Sequence, residues 1–600
     1  MKQSLKQLGD FTATPRVIPI SLVAIAIGFV AAFVAWILLR LIGFFTNVFY
    51  YGRSATTMVS PASNHLGWFA VLIPAAGGLI VGMMAYYGSE RIRGHGIPEA
   101  LESILINGSK VEPRLAILKP LSAAISIGSG GPFGAEGPII VTGGAIGSVV
   151  AQLFRLTAAE RKTLLVAGSA AGMSATFATP VSAVLLAVEL LLFEWKPRSL
   201  IPVALASATA SATRRYILGM GPLFPVPVHP LSLSPMALAG CLIAGILAGC
   251  LGAIVTQGVY TIEDLFGKLP LHWKWWPAIG GIVVGLGGLI FPQALGVGYD
   301  TIGAMLQGDV PRTVFAGVLL VKSSIWVISL GSGTSGGVLA PLLMMGAALG
   351  GVEAVFLPSA GVGFWPLVSM GAMLAATMGA PFTAVLFALE LTHDINMLLP
   401  LLIGTMVAYT ITVLLMKRSI LTEKIARRGY HLSREYATDP LEILFVHEVM
   451  RTQIVALPAQ ATVETLRDTL IHEPQQRGQH LYPVIDSDRC LKGVVTRKDM
   501  RKLTASTDGQ VSLGDVLRKP VVAGPDEPLR TVVFRMAETG FTRMPVVENG
   551  RLAGMISLHD LLMARVRNLH EERIREQVLR LRLPFGSHQS LQSRDHKGGV

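Results

Sequence analysis

One carboxylate, Glu136, stands alone in an apolar stretch, residues 121–154, that carries no other charge. Its surroundings read GAEGP (134–138). The proline suits the first turn of a helix, where no backbone donor is needed, and the two glycines let the backbone approach a ligand closely. The free N–H groups and the dipole of such a helix start attract anions without any cation. The pattern predicts an anion site at which Glu136 competes with the bound anion.

The same arrangement occurs at two other places in the chain. The segments GHGIP (94–98) and GGVLAP (336–341) also lead from glycines into a helix start with proline. Each segment alone is weak evidence. A lone carboxylate in an apolar run indicates an ion or proton pathway, and three glycine-rich helix starts around it favour an anion.

Internal repeats connect these segments. TPVSAVLLAVEL (179–190) recurs as APFTAVLFALEL (380–391), with seven of twelve positions identical at an offset of 201. GSGGPFGAEGP (128–138) recurs more loosely as GSGTSGGVLAP (331–341) at an offset of 203. Two halves of about 200 residues, each with broken helices, are typical of transporters whose site lies where the halves meet. Glu189, repeated as Glu390, is either a candidate proton relay or a structural cap.

The composition identifies the elements that must position these residues. Of 600 residues, 51% are hydrophobic and only 15% charged, and mean hydropathy is +0.55. These values argue against disorder, a coiled coil or a purely soluble enzyme. The net charge of +12 fits basic cytoplasmic loops better than nucleic-acid binding. The prediction is a polytopic helical membrane protein with apolar runs near 17–39, 67–87, 121–154, 163–193, 200–212, 235–260, 276–295, 313–330, 337–352, 363–392 and 397–416.

These motifs resemble those of the CLC family of chloride channels and proton-coupled chloride exchangers over about residues 15–430. GHGIPE, GAEGP and GGVLAP are similar to the family's GSGIPE, GREGP and GGIFAP segments, and SILTEKIARRG (419–429) is similar to the stretch with the central-site tyrosine. The resemblance implies two inverted repeats, a homodimer with a pore in each subunit, and Glu136 as the external gating glutamate. The anion-binding positions it implies are His95, Gly96, Ile97, Gly134, Ala135, Gly137, Val338, Leu339 and Leu421.

Several positions depart from the family pattern. The central serine falls on His95, the central tyrosine on Leu421, and the exchangers' internal proton glutamate on Leu190, next to Glu189. Ala135 replaces the usual basic residue before the gate. On the missing glutamate alone, voltage- or pH-sensitive, channel-like conduction of chloride or a similar anion is favoured. Proton-coupled exchange is the alternative, and His95 either donates to the anion or points away.

After Met416 the composition of the chain changes from apolar runs to the polar and charged pattern of a soluble domain. GVVTRKDM (493–500) recurs as GMISLHDL (554–561), and both resemble the motifs of a tandem pair of CBS domains. In such pairs the hydroxyl and carboxylate residues, here Thr496, Asp499, Ser557 and Asp560, meet the phosphate and ribose of an adenine nucleotide. The alternative is that the two aspartates only cap the helices that follow.

Two other classes of protein fit less well. A membrane metalloprotease needs HExxH, and no His-Glu pair here has a second histidine four residues after the first. A divalent-cation transporter needs a carboxylate-rich membrane site. We therefore expect no enzyme activity, no catalytic or metal-binding residues and no required cofactor, with chloride as the substrate and adenine nucleotide as a candidate regulator.

The predicted organisation has five parts. Residues 1–16 form a cytoplasmic N-terminus and 17–430 a CLC-like pore domain. Residues 445–505 and 511–568 form two α/β CBS domains, and 569–600 a polar, disordered tail. We expect an integral protein of the bacterial inner membrane, with both termini and the CBS pair in the cytoplasm.

Overall fold

The structure is a computed structural model that describes residues 14–154, 156–231, 233–429, 444–462, 479–505 and 513–566, with 441, 464 and 466. Residues 1–13 of the predicted cytoplasmic terminus and the predicted tail 569–600 lie outside the described residues. The chain divides into two compact units, a helical one over Asp10–Arg434 and a second over Glu435–Val600, which also takes in Met1–Gly9.

The helical unit is built of helices of very unequal length. The first runs 35 residues, whereas several others have fewer than ten. The α-helices are Val17–Tyr51, Leu72–Tyr87, Ile97–Leu105, Leu115–Gly128, Glu136–Leu153, Ala158–Phe177, Pro180–Leu186, Pro197–Ile217, Pro235–Gly267, Trp276–Ile290, Tyr299–Gln307, Arg312–Gly317, Ser323–Gly331, Leu339–Glu353, Phe364–Met378, Pro381–Thr392, Leu398–Leu415 and Ile420–Arg427. Ala187–Leu192 and Val318–Lys322 continue their neighbours as π-helix.

Glycines make the central helices pack closely, and they do so in the same way in both halves. Gly143 and Gly168 lie at the contact of helices Glu136–Leu153 and Ala158–Phe177, where a methyl group on either would overlap the other's carbonyl oxygen. In the second half, a Cβ on Gly346 would lie 2.6 Å from the Ser369 carbonyl oxygen. Small residues at such contacts let helix backbones approach inside a membrane.

Six helical segments in the described residues are long and apolar enough to cross a membrane: Val17–Tyr51, Gly67–Tyr87, Glu136–Leu153, Pro235–Gly267, Arg312–Gly331 and Ile395–Arg427. Shorter apolar helices, such as Leu115–Gly128 and Leu339–Glu353, lie between them. The helix order repeats from one half to the other. The prediction of a membrane protein built from two repeats of broken helices is confirmed.

The second unit contains two small sheets. In one, Leu457–Pro458 pairs in parallel with Leu481–Ile485, which pairs antiparallel with Leu491–Thr496. In the other, Arg543–Glu548 pairs antiparallel with Arg551–Ser557. Backbone bonds from Leu491 N to the Gly550 oxygen and from Leu552 N to the Arg489 oxygen join them. Helices Val446–Val449, Arg497–Ala505 and Leu529–Thr539 complete the predicted α/β unit.

Candidate functional site

The three glycine segments singled out in the sequence meet inside the helical unit. Gly134 N donates to the Gly337 oxygen at 3.1 Å, and Gly337 N donates back to the Gly134 oxygen at 2.8 Å. Gly94 N donates to the Thr334 oxygen at 3.2 Å. Segments about 40 and 200 residues apart therefore share one backbone cluster, from which helices Ile97–Leu105, Glu136–Leu153 and Leu339–Glu353 begin.

The approach of these segments requires glycine. A Cβ on Gly137 would overlap the carbonyl oxygen of His95, and one on Gly96 would lie 2.6 Å from the Gly137 oxygen. Gly96 also has φ +97°, a conformation that residues with a Cβ rarely adopt. Substituting any of these glycines would push apart the helix starts that form the site.

Glu136 lies at the centre of this cluster. Its side chain is fully buried at the first turn of helix Glu136–Leu153. The Tyr299 hydroxyl donates to Oε1 at 3.2 Å. Oε2 lies so close to the backbone of Gly134 and Gly337 that a Cβ on Gly337 would be 2.6 Å away. The carboxylate thus occupies a glycine-lined recess at a helix N-terminus, the surroundings expected of a bound anion.

Two buried lysines, which the sequence analysis missed, hold the loops on either side of the site. Lys119 Nζ donates to the carbonyl oxygens of Ile92 and Gly94, both at 2.8 Å. Lys322 Nζ donates to those of Ala294 and Gly296, at 2.9 and 2.7 Å. Each lysine stands nine residues before a Gly-Ser-Gly sequence. Their shared spacing was therefore visible in the repeat.

Tyr299 was missed for a related reason. It follows GVG (296–298), the second-half counterpart of GHG (94–96), but lacks the proline that marked the other segments. Gly298 and Gly308 bound its helix, Tyr299–Gln307, and both have positive φ. A search for the repeat alone, without the proline, would have found it.

The predicted central site contains a buried imidazole and a buried aliphatic side chain. His95 is 4% exposed, and its Nδ1 has no hydrogen-bond partner among the described residues. Leu421 is fully buried in the first turn of helix Ile420–Arg427 and offers no donor. The hydroxyl of Tyr260 donates to the Ile420 carbonyl oxygen.

Two of the predicted anion donors have protein partners. The Gly134 amide donates to Gly337, and the Gly96 amide donates to Glu99 Oε2 at 2.8 Å. Neither amide is free to bind an anion in this conformation. The Gly134 amide donates to a backbone oxygen, and the Gly96 amide donates to the carboxylate that caps its helix. The other predicted positions, Ile97, Ala135, Gly137, Val338 and Leu339, are all buried at the three helix starts.

The repeated glutamates cap each other's helices. Glu189 Oε2 accepts hydrogen bonds from Thr383 N at 3.1 Å and Thr383 Oγ1 at 2.6 Å, at the start of helix Pro381–Thr392. Glu390 accepts hydrogen bonds from Val181 N at 3.0 Å, from Ser182 N at 2.8 Å and from Ser182 Oγ, at the start of helix Pro180–Leu186. Each half of the chain therefore supplies the acceptor for a helix start in the other half.

The motif residues of the second unit are also engaged with one another. Thr496 Oγ1 donates to Asp499 Oδ2 at 2.6 Å, and Arg518 makes two further bonds to the same carboxylate at 3.1 Å. Burial raises the pKa of Asp499, but the bonds from Thr496 and Arg518 outweigh it and hold this pKa below its usual value.

The second motif repeats this arrangement. Ser557 Oγ donates to Asp560 Oδ2 at 2.6 Å, and Arg451 Nε donates to Oδ1 at 2.7 Å. Two cavities of about 310 and 520 Å³ adjoin the motifs and share His480 and Arg543 in their linings. The aspartates thus cap helices and pair with arginines beside basic cavities.

No group of three or more potential metal ligands occurs among the described residues. The arrangement instead presents buried helix N-termini, a buried carboxylate and a tyrosine hydroxyl. These groups can bind an anion and move a carboxylate in and out of its place.

Comparison with known proteins identifies the family of the chain and its second unit. Residues 77–413 match the family model described as voltage gated chloride channel, and residues 446–506 and 513–567 match the CBS domain. The chain is 28% identical over 426 residues to the voltage-gated ClC-type chloride channel ClcB of Escherichia coli, covering 68% of this chain and 99% of that protein.

Two solved structures share the fold. A slow cyanobacterial Cl⁻/H⁺ antiporter aligns with a TM-score of 0.60 and 23% identity, over 70% of this chain and 99% of that one. A eukaryotic CLC transporter aligns with a TM-score of 0.56 and 19% identity, over 91% of this chain and 98% of that one. The chain belongs to the voltage gated chloride channel (CLC) family, a family of channels and transporters, and ends in a pair of CBS domains.

Proposed function

We propose that this protein carries chloride, or a similar small anion, across the membrane through a pathway gated by Glu136. The observation that carries the proposal is the place of the Glu136 carboxylate, buried in the recess formed by Gly134 and Gly337. When ionised, the carboxylate fills the recess as an anion would. When protonated, it loses its attraction for the helix N-terminus and gives way to the permeating anion.

Within this function we favour exchange of chloride for protons over the channel-like conduction indicated by Leu190 alone. The cyanobacterial structural relative is an antiporter, and Glu136 can carry a proton as well as compete with chloride. The second candidate is passive conduction, which the fully buried, aliphatic Leu190 and the name of the Escherichia coli relative support. In the exchange cycle, Glu136 takes up a proton and gives up the recess to chloride. When it releases this proton on the other side of the membrane, the ionised carboxylate returns to the recess and displaces the chloride.

The deciding experiment imposes a chloride gradient on vesicles containing the purified protein and records both ions with electrodes. Exchange predicts that protons move uphill, driven by chloride, and that Glu136→Gln abolishes this movement while chloride still flows. Chloride flux without proton movement in the wild type would establish passive conduction. Flux whose pH dependence is the same in Glu136→Gln would contradict the gate assignment.

We propose that two copies assemble in a bacterial inner membrane, each with its own pathway, and with the CBS pair on the cytoplasmic side. The bacterial ClcB relative and the resemblance to the CLC family support this arrangement. The mass of the purified particle in detergent tests the dimer. Protease access to the tail in inverted and right-side-out vesicles tests its side.

We further propose that the CBS pair binds an adenine nucleotide beside Thr496 and Ser557. The two adjoining cavities support this, because His480, Arg518 and Arg543 line them with groups that can bind phosphate. Ribose binding would require Asp499 to exchange its arginine partner for the ligand. ATP or AMP at millimolar concentration should raise the melting temperature of the whole protein, by stabilising the folded state. No shift would favour the purely structural role of the motifs.

A further inference from the structure

A cavity of about 310 Å³ adjoins the gate on one side. Tyr299, which donates a hydrogen bond to Glu136, forms part of its wall together with Gly296 and Gly298. The remaining wall is mostly apolar and includes Ile42 and Leu223. We call this space the gate cavity. An ion entering it would be one side chain away from the gating carboxylate.

Arg214 is the only cationic residue in the described lining of the gate cavity. It lies in the last turn of helix Pro197–Ile217 and is 7% exposed. One guanidinium nitrogen, Nη1, donates to the Gly219 carbonyl oxygen at 3.0 Å. Its Nε has no hydrogen-bond partner among the described residues, and no ion pair involves this arginine there.

A largely buried guanidinium without a carboxylate partner is costly, since a full charge has left most of its water. Capping of the helix end accounts for only the bond to Gly219. Asp300, the other charged residue of the lining, is exposed and makes no ion pair with Arg214. The charge of this guanidinium, which lines the cavity, favours an anion there as its partner.

The gate cavity lies at the end of the helical unit opposite Arg16. Arg16 begins helix Val17–Tyr51 and lines a hollow with Arg198, near the start of helix Pro197–Ile217. The far ends of the same two helices supply Thr46 and Arg214 to the gate cavity. With the N-terminus in the cytoplasm, as predicted, the cavity faces the outside.

We propose that the gate cavity is an external anion-binding vestibule in which Arg214 binds chloride before it reaches the Glu136 recess. The inference rests on the proposed anion transport and adds a second site to it. Since Ala135, next to the gate, is uncharged, Arg214 supplies the local positive charge that concentrates anions at the entrance. Its loss weakens capture of the anion rather than the opening of the gate.

The first test compares chloride flux in vesicles containing the full-length wild type, Arg214→Gln, Arg214→Lys and the neighbouring, exposed Arg215→Gln. Losing one charge at the entrance should raise the half-saturating chloride concentration about threefold to tenfold, with little change in maximal flux. Arg214→Lys should recover much of this loss, and Arg215→Gln should match the wild type. A half-saturating concentration unchanged in Arg214→Gln would overturn the proposal.

The second test does not depend on transport. Crystals of the wild type grown in bromide should show an anomalous peak beside Arg214 that is missing in Arg214→Gln, or weaker in Arg214→Lys if the glutamine variant does not fold. A wild-type crystal with bromide at the Glu136 recess but none in the gate cavity would refute the vestibule. Failure of wild-type flux would instead contradict the proposed function.

Discussion

The two repeated glutamates offer a way to separate a structural cap from a proton relay. Glu189 and Glu390 occupy equivalent positions in the two halves, and both accept hydrogen bonds from the start of the opposite helix. Only Glu189 stands next to Leu190, the position at which exchangers of the family carry their internal glutamate. We expect Glu189→Gln and Glu390→Gln to behave alike, because the two glutamates make the same kind of contact.

The expected loss of stability follows from the hydrogen bonds that Glu189 accepts from Thr383. A hydrogen bond to a charged group contributes about 1.5–3 kcal/mol, and a carboxylate at a helix start adds roughly 0.3–1 kcal/mol through the dipole. Glutamine at position 189 keeps one oxygen to accept from Thr383 but loses the charge, so a cost of about 2 kcal/mol is expected. Alanine leaves both donors of Thr383 without this acceptor and should cost about 4 kcal/mol.

The assay records proton and chloride movement in vesicles for Glu189→Gln, Glu390→Gln and Glu136→Gln. As caps, the first two glutamates should tolerate glutamine with proton coupling intact and a lower melting temperature in detergent. Glu136→Gln alone should uncouple the ions. The reasoning would be refuted if Glu189→Gln abolished proton movement while Glu390→Gln, with a matching loss of stability, preserved it. Glu189 would then be the relay.

Three further outcomes follow from the geometry. Gly137→Ala should abolish folding or transport, because its Cβ would overlap the His95 oxygen; Gly267→Ala, with open space around it, should leave transport unchanged in the same flux assay. Lys322→Met should destabilise the protein by about 2 kcal/mol or more in thermal unfolding, since two buried carbonyl groups lose their donor. The lowered pKa of Asp499 means that its contribution to stability is present above about pH 4 and is lost as the pH falls through the folded-state value. The protection factors of residues 481–505, which correct hydrogen exchange for its intrinsic pH dependence, should therefore fall in acid, and less steeply in Asp499→Asn.

The sequence was sufficient to predict the fold and the place of Glu136 at a buried helix start. Glycine and proline at the helix starts, and a repeat at a nearly constant offset, predicted the broken helices and the position of Glu136 among them. These features are local, or are repeated in the chain, so one sequence displays them. The family resemblance added that the two halves are inverted relative to each other.

The contacts across the site could not be predicted from the sequence. Nothing local to Glu189 shows that Thr383 is its partner, because the bond joins residues nearly 200 positions apart. In the sequence, Arg214 of the gate cavity looks like any basic residue at the end of a helix. The amide of Gly134 was predicted to face an anion, yet it closes a bridge to Gly337, which depends on how the two halves pack.

The reciprocal capping of helices by Glu189 and Glu390 has a consequence for how such a protein can arise and assemble. Half of the chain, produced alone, would carry a glutamate without its helix start and a helix start without its glutamate. Two identical halves inserted in opposite orientations would satisfy both contacts, as the two unequal halves now do within one chain. Producing residues 1–220 and 221–600 as separate polypeptides should therefore yield stable protein only when both are present in the same membrane.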